Sequence, residues 1–195
     1  MTKNSKEEGY GLDGTCGSTW LMSSRLTSDI IVCDELLMIK LYSRGMPRDA
    51  VEEEMRLTNL ALYNGIRVPI VRELVRDGER WGYSYDKVHG PTFMDLIMEK
   101  DSDLDSLATT FAHLHRDING CREPRLPPLK ARLRAMIEGG TASEELKEEA
   151  LTSLDALPDG DRVCHGDFHP GNVIAAEGGG TVLDWVDSAR GHHIA

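Results

Sequence analysis

In the first half of the chain, short runs of hydrophobic residues precede and follow a segment in which the hydrophobic residues have helical spacing. Four short apolar runs are bounded by turn residues, and we predict strands at 30–33, 36–42, 68–75 and 81–85. Between Pro47 and Gly65 the apolar residues recur every three or four positions. This spacing predicts a helix, because proline suits a first helical turn and glycine ends a helix. We therefore expect an antiparallel sheet accompanied by one helix.

The second half of the chain has a mainly helical pattern. A break from Asp86 to Pro91 separates it from the strands and is predicted to be a linker. Apolar residues then return at helical spacing, and we predict helices at 93–98, 104–120, 129–137 and 146–157. His115 lies on the apolar stripe of the second of these helices, so we expect it to be a hydrogen-bonded core residue.

A group of polar residues surrounds two short apolar runs near the end of the chain. The runs at 173–174 and 181–183 flank three glycines, which predicts a hairpin. Asn172 precedes the first strand and Asp184 follows the second, so the hairpin would bring these two residues together. Asp167 lies on the loop just before them. Oxygen ligands arranged in this way suit a hard divalent cation.

Composition restricts the class of partner more than it restricts the fold. The 195 residues carry a formal net charge of −11. Nucleic acid is therefore not expected as a main partner, because phosphate backbones require a basic surface.

No apolar run is long enough to span a bilayer, and the first residues contain no apolar signal core. The four cysteines lack the spacing of a zinc or redox motif, so we expect reduced thiols and a cytoplasmic protein.

Two charged features of the first half each admit two interpretations. Lys40 interrupts an apolar strand, where it would lie either on the wet face of an edge strand or in a cleft facing an anion; the strand alone favours the edge. Glu52, Glu53 and Glu54 lie in early helical turns, where negative charge suits the helix dipole. They form a solvated acidic face unless one turns inward to Lys40.

The segment 14–19 also admits two interpretations. It is either a tight turn or a phosphate-covering loop, and the turn is favoured.

The spacing of His165, Asp167 and Asn172 selects between these interpretations. H-x-D-x-x-x-x-N is the pattern of a kinase catalytic loop, with a second metal-binding carboxylate, here Asp184, delivered by a later strand end. Phosphoryl transfer needs an aspartate for the attacking hydroxyl and oxygen ligands that hold Mg²⁺ against the triphosphate. It also needs a lysine that neutralises phosphate charge, which gives Lys40 a function in a cleft.

The sequence around this loop closely resembles the aminoglycoside phosphotransferase and choline kinase family. The similar segments lie at 37–42, 51–54, 90–92, 112–115, 165–173 and 183–185. The resemblance implies an α+β, two-lobed protein-kinase-like fold with an antiparallel-sheet N-lobe, residues 1–88, and a mainly helical C-lobe, residues 89–195. Family members usually continue through further helices, so the resemblance also implies an incomplete C-lobe. It implies ATP or GTP with Mg²⁺ as cofactors and phosphorylation of a small-molecule hydroxyl, in an aminoglycoside-like or other cationic acceptor.

The resemblance gives three residues of the second lobe a role. Asp167 would be the catalytic base or would position the acceptor hydroxyl. Asn172 and Asp184 would be the metal ligands.

The resemblance also gives four residues of the first lobe a role in nucleotide binding. Lys40 would contact the α- and β-phosphates. Glu54 would support Lys40, because it matches the second glutamate of the family motif. Asp86 and Val88 would lie in the hinge whose backbone meets the nucleobase.

Two other functions are compatible with parts of the sequence. The first is a non-catalytic nucleotide-binding module. The second is a metallohydrolase with His165, Asp167 and His169 as ligands, because alternate residues of an extended segment share one face. The metallohydrolase would leave Lys40 and Asn172 without a function.

Overall fold

Among the residues that the structure describes, a five-stranded antiparallel sheet and one long helix form the first part of the molecule. A computed structural model describes residues 20–24, 27–176 and 179–192; the segment 14–19 lies outside this part. The strands are β1 (Trp20–Ser24), β2 (Ser28–Val32), β3 (Leu37–Tyr42), β4 (Val71–Asp77) and β5 (Arg80–Asp86), in the order β1-β2-β3-β5-β4. Helix α1 (Arg48–Tyr63) follows Pro47 and ends at Asn64.

The register of β3 decides which side chains meet beneath the sheet. Lys40 lies opposite Ile30 of β2 and Tyr83 of β5. Directly opposite residues of antiparallel strands project to the same face. Helix α1 covers this face, since its Val51 packs with Tyr42 and Tyr83. Because β3 is a central strand, the interpretation of Lys40 as a wet residue of an edge strand is wrong.

Helices dominate the second part of the molecule. Within the described residues they are α2 (Phe93–Met98), α3 (Leu104–Gly120), α4 (Leu129–Gly139) and α5 (Glu144–Ala156). Four short strands complete this part and are β6 (Arg162–Cys164), β7 (Val173–Ala176), β8 (Gly179–Val182) and β9 (Ala189–Gly191). Strand β6 pairs with β9, and β7 pairs with β8. Gly179 and Gly180, expected in a turn, instead belong to β8.

Side-chain caps fix where three of these helices begin, and at α3 the Asp103 carboxylate accepts the Ser106 N–H at 3.0 Å. The Thr92 hydroxyl accepts a hydrogen bond from the Asp95 N–H, and the Asp95 carboxylate accepts one from the Thr92 N–H, which is a reciprocal capping box. Ser143 Oγ accepts the Leu146 N–H at 3.4 Å, so Ser143 caps α5.

Helix α1 joins the two parts because its buried residues belong to two cores. Val51 packs with the sheet, whereas Leu57, Leu60 and Ala61 enter the main core. The rest of that core comprises Val68, Phe93, Ile118, Leu126, Val163, Val173, Val182 and Trp185. Fully burying one large apolar side chain contributes about 1.5–3 kcal/mol. Packing therefore fixes α1 against the second part as well as against the sheet.

A buried carboxylate reinforces this connection at the end of α1. Glu123, on the loop between α3 and α4, is 2% exposed. It accepts hydrogen bonds from Asn64 Nδ2 at 2.9 Å and from the Arg125 guanidinium at 2.6 and 2.7 Å. Arg125 also lies over the Tyr63 ring, 4.5 Å from its centroid. Glu123 thereby ties the last turn of α1 to the second part.

Two expectations about single residues are wrong. His115 is exposed on α3 and stacks on Phe168 with 4.9 Å between ring centroids, so it is not a core histidine. Cys33 is disulfide-bonded, whereas Cys121 and Cys164 are free thiols, so the expectation of reduced cysteines fails for Cys33. No helix of the described part is both long enough and apolar enough to cross a membrane.

The Glu123 contacts predict that the free energy of unfolding depends on pH in the acidic range. Hydrogen bonds from Arg125 lower the pKa of Glu123 from 4.5 to about 2. A carboxylate with a lowered pKa stabilises the fold above the pKa of the unfolded chain, and this contribution is lost as the pH falls towards the folded value. We expect Glu123→Gln to be less stable than wild type at pH 7, with a difference that shrinks as the pH falls below about 4.5. Urea unfolding over a pH series measures this difference.

The exposed Glu149 of α5 provides the matched control, because Glu149→Gln removes a carboxylate from the solvated surface in the middle of the helix. It should change stability little at any pH. A Glu123→Gln difference that stays constant down to the lowest pH at which the protein folds would contradict the prediction.

Candidate active site

A cleft of about 310 Å³ lies between the sheet and the β7–β8 hairpin. From the sheet it is lined by Ser28, Ile30, Met38, Lys40, Val71, Tyr83 and Tyr85. From the opposite side it is lined by Gly171, Asn172, Ile174, Leu183, Asp184 and Trp185. Four residues predicted to act on nucleotide or metal therefore face one cavity: Lys40, Val88, Asn172 and Asp184.

The Lys40 ammonium joins two acidic side chains that come from different parts of the molecule. Nζ donates to Glu54 Oε1 at 2.8 Å and to Asp184 Oδ1 at 2.9 Å. Burial lowers the pKa of Lys40, but the two carboxylates outweigh burial, so its pKa is raised and the group is charged. A buried charge without partners would be costly. The two carboxylates explain how a lysine can occupy a central strand.

Glu54 is the one glutamate of its helical turn that faces inward. Its side chain is fully buried, whereas Glu52 pairs with Arg48 and Glu53 pairs with Arg56 on the solvent side of α1. Helical periodicity explains the difference, because residues one or two positions apart point in different directions. The structure therefore pairs Lys40 with Glu54, as the family motif implies.

Tyr83 completes this buried group, and no motif in the sequence singled it out. Its hydroxyl donates to Glu54 Oε1 at 3.0 Å. Burial raises the pKa of Glu54, and Lys40 and Tyr83 act against this rise. Burial, together with the neighbouring Glu54 carboxylate, also raises the pKa of Tyr83 well above 10, so the hydroxyl keeps its proton and remains a donor.

Backbone contacts fix the loop that carries Asp167. The His165 Nδ1 accepts the Asp167 N–H at 3.2 Å, so the other ring nitrogen, Nε2, donates to the Leu183 carbonyl at 2.9 Å. Burial lowers the pKa of His165, which favours the neutral ring. His165 thus braces the loop against the hairpin. The Asp167 side chain is 56% exposed, so its carboxylate is accessible.

Asn172 is buried and uses its amide nitrogen within the loop. Nδ2 donates to the backbone carbonyl of Asp167 at 3.1 Å and to its Oδ2 at 3.3 Å. The amide oxygen is then the atom left for a ligand. The Leu183 N–H donates to the Asn172 carbonyl at 2.8 Å, which joins the two ends of the hairpin. The hairpin therefore brings Asn172 and Asp184 to the same cleft.

Asp184 has a backbone conformation that few residues adopt. Its φ is 63°, and among the described residues no other non-glycine has a positive φ. Aspartate tolerates the left-handed region better than most residues, yet the conformation still costs about 1 kcal/mol. Strain of this kind clusters at functional sites, where the surrounding structure imposes it.

Gly166 allows the Asp167 loop to approach the turn that follows Asp184. Its φ is 91°, and a Cβ atom at this position would lie 2.3 Å from the Asp187 carbonyl oxygen. Arg132 of α4 holds that turn, because it donates to the Asp187 carboxylate and to the Val186 carbonyl at 3.0 Å. The loop and the turn are therefore packed backbone against backbone.

The residues required by the metallohydrolase hypothesis do not form a metal site. His165 uses Nε2 on a carbonyl, and His169 accepts the Gly171 N–H at Nδ1, 3.1 Å away. His169 Nε2 lies 3.6 Å from Asp167 Oδ2. In residues 20–24, 27–176 and 179–192, no three His, Cys, Asp or Glu side chains are placed to hold a metal ion. The structure does not favour this alternative.

The predicted hinge residues have different surroundings. The Asp86 carboxylate binds Arg72 on the surface, at 2.6 and 2.7 Å, and the Asp86 N–H donates to the Ile70 carbonyl. Val88 is half-buried and lines the cleft. Asp86 is therefore already engaged through its carboxylate and its N–H, whereas Val88 borders the cavity directly.

This combination of an antiparallel sheet, a crossing helix and a catalytic-type loop beneath the cleft defines a two-lobed protein-kinase-like fold. The model of the phosphotransferase enzyme family, also called the aminoglycoside phosphotransferase family, matches residues 34–195. The chain therefore belongs to this family.

Solved structures of aminoglycoside phosphotransferases share the fold. APH(2'')-Ib bound to ADP is 17% identical with a TM-score of 0.64, and the match covers 92% of this chain and 69% of that one. A GDP and kanamycin complex of APH(2'')-IIIa is 17% identical with a TM-score of 0.61, covering 93% and 71%. A complex of APH(4)-Ia with AMP-PNP and hygromycin B is 11% identical with a TM-score of 0.68, covering 93% and 70%. A search of curated proteins finds no match.

The close approach at Gly166 predicts that a methyl group is not tolerated there. Gly166→Ala would force a positive φ on alanine and a clash with backbone. We expect a loss of about 2 kcal/mol in the free energy of unfolding. Gly120→Ala is the control, since a Cβ at Gly120 meets nothing within 4 Å. Denaturant unfolding of both variants measures the difference, and equal stability would show that the contact with Asp187 is unimportant.

Proposed function

We propose that the protein transfers the γ-phosphate of ATP or GTP to a hydroxyl group of a small molecule. Membership of the phosphotransferase family supplies the general reaction. The observation that carries the proposal is the Lys40 ammonium, held between Glu54 and Asp184 at the wall of a cleft. Asn172 lines the same cavity, and Asp167 lies on the adjoining loop. This is the residue set that phosphoryl transfer requires.

In this proposal the nucleotide occupies the cleft between two lobes, residues 1–88 and 89–195. The nucleobase lies towards the hinge, where the backbone of Val88 and the carbonyl group of Asp86 would meet it, because the Asp86 N–H is already committed to the Ile70 carbonyl. Lys40 exchanges its contact with Asp184 for the α- and β-phosphates and keeps Glu54 as its support. The relatives were solved with ADP, GDP and AMP-PNP, which supports a nucleotide as ligand.

The donor set formed by Asn172 and Asp184 fits Mg²⁺. Both residues offer hard oxygen atoms, and the Asn172 amide nitrogen is already committed to Asp167, so its oxygen is the atom available. Magnesium usually takes one or two protein oxygens together with phosphate oxygens. A bound ion would neutralise the charge of the transferring phosphate.

Asp167 would accept or orient the proton of the acceptor hydroxyl. The Asn172 amide holds one of its carboxylate oxygens, so the side chain has a preferred orientation while remaining accessible. A groove of about 960 Å³ flanks the loop at His165, Gly166 and Phe168. We propose that the acceptor approaches Asp167 from this groove.

A cationic acceptor of the aminoglycoside type suits the net charge of −11. Kanamycin and hygromycin B are present in two of the relatives' structures. The acidic composition also supports the proposal that nucleic acid is not a partner. We further propose a cytoplasmic location, where ATP and GTP are available.

Asp167→Asn tests the proposed chemistry. The amide keeps the shape of the side chain but is not a base, so we expect phosphate transfer to fall by about 10²–10⁴-fold. Nucleotide affinity should stay within about threefold, because the proposed nucleotide contacts do not include this carboxylate. Release of ADP or GDP in the presence of aminoglycosides and other hydroxyl acceptors measures transfer.

The exposed Asp101 provides the control, since Asp101→Asn makes the same change away from the cleft. Equal transfer by wild type and Asp167→Asn would show that the assigned role is wrong. Nucleotide binding by wild type without transfer to any acceptor would instead favour a non-catalytic nucleotide-binding module.

Asp184→Asn tests the proposed metal site. Asparagine tolerates the same backbone conformation, so the fold should persist while the ligand loses its charge. We expect the gain in nucleotide affinity produced by Mg²⁺ to fall by at least about tenfold. Calorimetric titration of ATP with and without Mg²⁺ measures this gain. An unchanged magnesium effect would exclude Asp184 as a ligand.

A further inference from the structure

Two donors converge on one oxygen of the buried Glu54 carboxylate. Tyr83 is 7% exposed, and its hydroxyl lies 3.0 Å from Glu54 Oε1. Lys40 Nζ lies 2.8 Å from the same atom. In the described part of the chain, Glu54 Oε2 is buried without a hydrogen-bond partner. The donors therefore distinguish the two carboxylate oxygens from each other.

The pairing of β3 with β5 produces this convergence. Lys40 and Tyr83 are directly opposite each other, so both side chains project towards α1, which delivers Glu54. The Tyr83 ring packs in one cluster with Val51 of α1 and Tyr42 of β3. The hydroxyl is consequently fixed relative to both the sheet and the helix.

We propose that Tyr83 is a positioning residue for Lys40 and acts through Glu54. A buried carboxylate with lysine as its only partner can rotate and offer either oxygen. The Tyr83 hydroxyl removes this freedom, because it holds Oε1 at a fixed point above the strand. Lys40 then has one defined anchor while its other contact changes from Asp184 to phosphate. This inference rests on the proposed function, since it requires Lys40 to bind phosphate.

Tyr83 also lines the cleft. Its role through Glu54 therefore has to be distinguished from a direct contact between its hydroxyl and the nucleotide. A double-mutant cycle makes this distinction. If Tyr83 acts only through Glu54, the loss caused by removing the hydroxyl disappears once Glu54 no longer anchors Lys40 as a carboxylate. A direct contact with nucleotide, or a general effect on packing, would cost the same in both backgrounds.

The experiment compares wild type, Tyr83→Phe, Glu54→Gln and the double variant. Calorimetric titration with ATP and with GTP, in the presence of Mg²⁺, gives the nucleotide affinity of each protein. We expect Tyr83→Phe to weaken binding about tenfold in wild type, as is typical for a lost hydrogen bond to a charged group, and less than about twofold in the Glu54→Gln background. Tyr63→Phe is the control, because Tyr63 is 76% exposed at the far end of α1.

A second variant distinguishes the loss of the hydrogen-bond donor from a change in the packing of the ring. Replacing Tyr83 with 4-aminophenylalanine keeps an N–H donor at the position of the hydroxyl, so it should retain affinity within about threefold of wild type. Thermal unfolding of every variant, measured without nucleotide, shows whether the fold is intact. An affinity loss that matches reduced stability and is not rescued by 4-aminophenylalanine would overturn the inference.

Three further results are decisive. A full loss on Tyr83→Phe in the Glu54→Gln background would overturn the inference, because it would show a role independent of Glu54. Unchanged affinity of Tyr83→Phe would also overturn it. Failure of the wild-type protein to bind ATP or GTP would overturn the proposed function itself and would be seen before any variant is compared.

Discussion

The arrangement of this site depends on one partly buried ammonium shared by two carboxylates. Lys40 contacts Glu54, 14 positions along the chain, and Asp184, 144 positions along it. The first contact is satisfied within the sheet and α1, but the second exists only when the β7–β8 hairpin lies against them. A charge on a central strand therefore needs the whole fold to be in place. The fold in turn gains an ion pair between its two parts at the point where nucleotide chemistry is proposed.

Helix α1 is the element that makes the pair rigid. The inner face of its first half packs against the sheet, its second half belongs to the main core, and its last turn is held by Glu123. Glu54 lies between these attachments. A helix held along its whole length cannot carry Glu54 away from the sheet without exposing apolar surface from both cores. The Lys40–Glu54 pair is consequently held by the packing of the fold itself, and in the proposed function only the contact with Asp184 would change when phosphate binds.

Local sequence patterns predicted the elements well because helices and hairpins depend on near neighbours. The predicted helix at 93–98 matches α2, and the hairpin bringing Asn172 near Asp184 is present. Sheet order is not local, so the sequence did not show that Lys40 lies on a central strand. The prediction that His115 is a core residue was wrong for a related reason. A helical stripe is the same whether or not another element covers it, and His115 is exposed.

Tyr83 could not be found from the sequence for a different reason. Tyrosine is common in strands, and its period-two position is explained by packing alone. Its contact with Glu54 follows from the register between β3 and β5, which residues far apart in the chain determine. The positive φ of Asp184 is likewise signalled by no residue type in the sequence. Family motifs indicate the groups that are proposed to carry chemistry, but not the neighbours that hold them.

The same loop borders both the cleft and the groove, and this has a consequence for substrate choice. His165 binds the carbonyl of Leu183, directly before Asp184, while His165, Gly166 and Phe168 form part of the groove wall. An acceptor that displaces the loop would therefore also displace the proposed metal ligand. Family membership determines the reaction class but not the acceptor. At 11–17% identity to the three solved relatives described above, the fold is shared although most residues differ. If the acceptor binds in the groove as proposed, its preference would be set by groove residues whose replacement leaves the His165–Leu183 contact intact.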